Sequence, residues 1–80
     1  MSDEEVFQEL RSICAKILTV DPALLSRDVD LREELEADSL DMAEIAAAME
    51  DRFKLTVDLD TAQQARTLAD VVALLQAAGA

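Results

Sequence analysis

The chemistry in this sequence converges on one hydroxyl. Ser39 stands between two aspartates in Glu36-Ala37-Asp38-Ser39-Leu40-Asp41, where a polar connection gives way to a helical pattern. A serine becomes a nucleophile when a base takes its proton. The chain has no histidine, so a Ser-His-Asp relay, an imidazole general base and most zinc sites are excluded. The sequence offers no acid–base pair and no metal-ligand set, and it reads as a protein without catalytic residues. Capping is the commonest role for a serine before a helix. A capping box wants Glu or Gln three residues on, however, and Met42 stands there. Asp38 is the better cap, with Asp41 at the third helical position favoured by the helix dipole. Ser39 then falls in the first turn with its hydroxyl outward. In that place the free backbone N–H groups and the positive end of the dipole would stabilise an attached phosphate diester. Ser39 reads as an attachment point.

The elements that must position it are helical. Val6, Phe7, Leu10, Ile13, Cys14, Ile17 and Leu18 recur at steps of three and four, which predicts an amphipathic helix over about 3–19. Cys14 lies in that apolar arc, as a small buried hydrophobe does. Asp21-Pro22 breaks the pattern and starts a turn with Leu24 and Leu25 as plugs. A long connection follows to residue 37, spaced by Val29, Leu31 and Leu35 and so expected to be pinned across the bundle.

A second helix is expected from Ser39 to about Phe53, with Met42, Ile45, Ala46, Met49 and Phe53 in a core-facing stripe. Its opposite face gathers Leu40, Ala43 and Ala47, rimmed by Glu44, Glu50 and Asp51. An apolar strip rimmed by one sign of charge has the character of a docking face. A short helical turn is expected over 60–65, capped by Asp60 or Thr61 and anchored by Leu59, Ala62 and Ala65. The last helix, about 67–77, carries Leu68, Val71, Val72 and Leu75 behind a Thr67 cap, and Gly79 ends it. The fold expected is all-α: a four-helix bundle with a short third helix, one domain over 1–80.

Charge narrows the partners. Eighteen acidic residues against seven basic give a net charge of −11, which argues against nucleic acid and membrane surfaces and in favour of proteins with basic patches. One cysteine forms no internal disulfide, and the chain has neither a basic leader region nor a long apolar run. The expectation is a soluble, cytoplasmic protein.

These residues resemble a known family. Ala-Asp-Ser-Leu-Asp at 37–41, followed by an acidic-rimmed helix, is similar to the phosphopantetheine attachment motif of acyl carrier proteins. The similarity extends from the acids and leucine before the motif to Phe53 after it, and to the closing Thr67-Leu-Ala-Asp-Val-Val-Ala-Leu-Leu75. The resemblance implies that Ser39 bears a 4′-phosphopantetheine arm whose thiol holds acyl groups as thioesters. It implies that Asp38 and Leu40 are recognised by the phosphopantetheinyl transferase. It further implies that Glu44, Ala47, Glu50 and Asp51 meet basic surfaces on acyltransferases, ketosynthases and other acyl-processing enzymes, the chain itself being a monomer. Glu36 replaces a frequent glycine, so the loop must turn without glycine's freedom at positive φ. Asp58 replaces a frequent proline, leaving the start of the third helix less fixed. Ala43, Ala46 and Ala65 stand where bulkier aliphatics are common. Fatty-acid and polyketide synthesis are both open. Two alternatives remain: an aminoacyl or peptidyl carrier of a nonribosomal pathway, and an unmodified acidic scaffold.

Overall fold

A computed structural model describes all 80 residues. Four helices, α1 Asp3–Leu18, α2 Ser39–Phe53, α3 Leu59–Gln64 and α4 Leu68–Ala77, pack as an all-α bundle, with a 3-10 turn at Pro22–Leu24. No helix is long and apolar enough to cross a membrane. The helix ends follow local chemistry. Ser2 accepts from the Glu5 N–H while Glu5 accepts from the Ser2 N–H, a reciprocal box that starts α1. Thr67 and Asp70 form the same arrangement before α4. Thr19 and Lys54 stop α1 and α2 in the left-handed conformation, at φ 57° and 56°.

All twenty buried residues are apolar, and they form one cluster. Val6, Leu10 and Cys14 of α1 meet Met42, Ile45 and Met49 of α2 and Leu68, Val72 and Leu75 of α4. Three helices of this length leave the core open on one side, and the connection between α1 and α2 closes it. Leu25 and Leu31 are fully buried there, with Val29 and Ala37 beside them. The connection is also bonded to the far end of the chain. The Leu31 N–H donates to the Arg66 carbonyl at 2.7 Å, the Ala69 N–H donates to the Arg27 carbonyl at 3.0 Å, and Asp30 and Thr67 form an antiparallel bridge. The Asp30 carboxylate accepts from the Glu33 and Arg32 amides and from the Arg66 guanidinium. These donors, the Glu33 amide foremost, hold its pKa below the ordinary range.

Four local expectations are corrected. Leu24 is 63% exposed, and only Leu25 plugs the turn. Leu59 is exposed and does not anchor α3, whose own buried residue is Ala62. The cap of α3 is Asp58, not Asp60 or Thr61: its carboxylate accepts from the Asp60 amide at 3.3 Å and the Thr61 hydroxyl at 2.7 Å. Asp58 therefore fixes the start of α3 by side-chain bonds where a proline would have fixed it by its ring. Glu36 takes φ 56° without being glycine.

Burial pushes the Cys14 thiol up to about 12. At pH 8 the native protein should therefore react with a thiol-directed chromophore far more slowly than a free thiol does, and one equivalent should react at once after denaturation. The unfolded chain ionises first, so the thiol's contribution lowers native stability as pH rises past about 9. Rapid stoichiometric labelling of the folded protein would contradict this burial.

Candidate functional site

The candidate site is the N-terminal end of α2. Ala37 is buried, and its N–H donates to the Leu31 carbonyl at 2.9 Å, which ties the chain to the core two residues before Ser39. Asp38 then adopts extended backbone, and its Oδ1 accepts from the Asp41 N–H at 2.8 Å. Asp41 returns the bond, its Oδ2 accepting from the Asp38 N–H at 3.2 Å. The box thus closes with aspartate where glutamate is usual. Because Asp38 does the capping, Ser39 is the first helical residue, exposed, with its hydroxyl left over. The Met42 N–H reaches the Asp38 carbonyl, so the Ser39 and Leu40 amides lie at the open, electropositive end beside that hydroxyl.

Leu40, 66% exposed, begins the outer face of α2. Glu44, Ala47 and Asp51 continue it in the open, and Ala43 is half-buried at its margin. Asp51 approaches Lys54 at 3.8 Å with both side chains largely in water, a pairing of little energetic weight. Glu50 departs from the expected set. Its carboxylate turns back to accept from the Val57 N–H at 2.8 Å, so it holds the segment leading into α3. That bond spans seven residues and two kinds of backbone, and no local motif in the sequence announces it.

Behind this face lies an apolar seam. Met42, Ile45, Ala46 and Met49 of α2 face Val57, Ala62 of α3 and Val71, Leu74 and Leu75 of α4, with no polar group between them. The free space is only about 10 Å³, room for one water at most. Of the three alanines singled out by their size, Ala46 alone lines the seam. Ala62 joins it there, whereas Ala65 lies in a shallow groove with Thr61, Gln64 and Asp70.

Two further residues connect to Ser39 and were not anticipated. The Gln63 Nε2 donates to the Ser39 carbonyl at 3.0 Å, and the Arg32 Nη2 donates to the Gln63 Oε1 at 2.7 Å and to its main-chain carbonyl at 3.1 Å. The connection, α3 and the first residue of α2 are thereby joined side chain to main chain.

The comparisons with known proteins agree in kind. A family model described as a phosphopantetheine attachment site matches residues 8–75. The chain is 39% identical over 70 residues to an acyl carrier protein of Phaeodactylum tricornutum, spanning 88% of this chain and 92% of that one. It is 36% identical over 76 residues to an acyl carrier protein of Akkermansia muciniphila, spanning 95% of each. The match to an acyl carrier protein of Guillardia theta is 32% over 72 residues, spanning 90% and 89%.

Division of labour between Asp38 and Ser39 can be measured. Asp38→Ala removes the cap and should cost about 1 kcal/mol, or roughly 4 to 8 °C in melting temperature. Ser39→Ala should change thermal melting by less than about 0.5 kcal/mol, as a surface substitution does. Equal losses in the two variants would show that Ser39 shares the capping.

Proposed function

The chain belongs to the acyl carrier protein family, whose members carry cargo and do not catalyse, and on that footing we propose that Ser39 bears the 4′-phosphopantetheine arm. The observation that carries the proposal is the exposed hydroxyl at the first position of α2, released from capping by Asp38. When bound, the arm supplies a flexible thiol that holds an acyl group as a thioester. The protein's part is to hold the arm's root rigidly and to display a surface that partner enzymes can find. Asp38 does the first through its box with Asp41. It also stands beside Leu40 where an arm-installing transferase would approach, and we assign recognition by that enzyme to both residues.

The display surface is the outer face of α2. Leu40, Ala43 and Ala47 give a shallow apolar strip, and Glu44 and Asp51 give the acidic rim. Glu50 supports that surface from behind by fixing Val57. Partners with basic surfaces fit this combination, since rim charge steers encounter and the apolar strip holds the complex once formed. Enzymes that install, extend and transfer acyl groups in fatty-acid or polyketide synthesis are the partners proposed, and the carrier meets them as a monomer. The closed apolar seam behind the face lies on the same helix as the arm. Cargo would enter it only if α3 or α4 shifted, because the existing space has room for about one water.

Incubation with coenzyme A, magnesium and a broad-specificity phosphopantetheinyl transferase should add one arm to the wild type and none to Ser39→Ala, read by intact mass. A wild type that no transferase modifies would sink the assignment of Ser39.

Docking is tested by two charge reversals of equal size. Glu44→Lys should slow arm installation at low substrate concentration by roughly threefold or more, chiefly through the association rate. Asp28→Lys, at an exposed position in the connection and outside α2, should leave that rate near wild type. The wild-type rate should also fall as salt rises, because rim charges are screened beyond about 8 to 10 Å at ordinary ionic strength. Similar slowing by both reversals would mean that net charge alone matters.

A further inference from the structure

Most of the basic side chains in this acidic molecule are already matched. Arg27 bridges Asp3 and Glu4, Arg52 meets Glu9, Lys54 approaches Asp51, and Arg66 meets Asp30 and Glu33. Arg11 lies over the Phe7 ring, and Lys16 is exposed in the last turn of α1. Of the three cations without an ion pair, Arg11, Lys16 and Arg32, only Arg32 donates side-chain hydrogen bonds within the chain. Its half-buried guanidinium has neutral partners only, the side-chain and main-chain oxygens of Gln63. Both bonds use one nitrogen, Nη2. The guanidinium donors at Nε and Nη1 are left without an acceptor in the chain, and the positive charge without a counter-charge.

That charge sits at a particular place. By taking the Gln63 Oε1, Arg32 fixes which way the amide points, and the Gln63 Nε2 is therefore turned to the Ser39 carbonyl. Arg32 is thus two hydrogen bonds from the main chain of Ser39. The same end of α2 carries the Asp38 and Asp41 carboxylates. An arm on Ser39 adds a phosphodiester anion to them, and the helix end offers only about half a positive charge in compensation. A guanidinium with spare donors is the side chain best suited to a phosphate oxygen.

We propose that Arg32 and Gln63 are positioning residues for the arm, Gln63 holding the Ser39 turn against α3 and Arg32 supplying the counter-charge to the phosphodiester. The proposal rests on the assignment of Ser39 as the attachment residue. It makes α3 part of the arm's seat, so a six-residue helix with one buried side chain is held in register with α2 by polar bonds at the point of modification.

The test compares melting temperatures of the unmodified and arm-bearing forms, with modification at Ser39 verified by intact mass and peptide mapping. Taking the difference within each variant removes any effect of the substitution on the unmodified fold. At low salt, the shift on arm attachment should be more favourable in the wild type than in Arg32→Gln by about 2 to 4 °C, the scale of a partly exposed ion pair in a domain of this size. Gln63→Ala should lose part of the same increment, and high salt should shrink it. Lys16→Gln, which removes an equal charge from an unpaired surface position, should keep the wild-type shift. The phosphodiester resonance in phosphorus NMR should respond to added salt in the wild type and lose that response in Arg32→Gln. An identical shift in wild type and Arg32→Gln, or an equal loss in Lys16→Gln, overturns the proposal while leaving Ser39 as the attachment residue. A wild type that accepts no arm overturns that assignment, and this proposal with it.

Discussion

The organisation of this molecule depends on which residue closes the open end of α2. A helix begins with amides that have no partner in the helix, and one acceptor must be supplied from the residue before it. Asp38 supplies it, and Asp41 returns the bond to the Asp38 amide. That exchange fixes Ser39 as the first helical residue, exposes its hydroxyl and sets the rotation of the whole helix. Met42, Ile45 and Met49 then face inward, and Leu40, Glu44, Ala47 and Asp51 face out. Had Ser39 capped the helix, its hydroxyl would have been consumed by the backbone and the outer face would have started one residue later. The buried Ala37, bonded to Leu31, carries the same constraint back into the core.

The parts legible in the sequence are those governed by period and by near neighbours. The apolar steps of α1, α2 and α4 identified the helices to within a residue or so at each end, and the caps Asp38 and Thr67 follow from side-chain chemistry two to three residues away. Leu25 and Leu31 were visible as apolar points in a polar connection. The period gave less where elements are short. A single 3-10 turn cannot distinguish Leu24 from Leu25, and one is 63% exposed while the other is buried. In α3, six residues make fewer than two turns, so Leu59 counted as an anchor although it lies before the buried face is established. Asp58 reads from the sequence as a missing proline, and its bonds to the Asp60 amide and the Thr61 hydroxyl show only in the fold. The Ser2–Glu5 box at the start of α1 is also local, Ser-Asp-Glu-Glu, but it was not anticipated.

What the sequence could not reveal is the side-chain contact across long separation. The Glu50 bond to Val57, the Arg32 bonds to Gln63 and the Gln63 bond to Ser39 depend on where α3 comes to rest. None has a period or a motif. They matter because α3 buries so little. A short segment with one buried alanine is placed by the capping aspartate at its start, by Glu50 on its lead-in and by Gln63 near its end. The scarce cations act in the same way elsewhere: Arg27 joins the connection to α1, Arg52 joins α2 to α1, and Arg66 joins the connection to the start of α4. Each exposed pair is weak alone, and their common feature is that they join elements far apart in the chain.

The burial of Cys14 has a bearing on the fidelity of transport. A thioester is exchangeable, and any thiolate within reach of the arm could take the acyl group from it and strand the cargo on the carrier itself. The scaffold's one thiol is enclosed by the core and held in its protonated form. It is a spectator to thiol exchange, so cargo can leave only by way of a partner or of water, and the carrier stays chemically silent toward what it conveys.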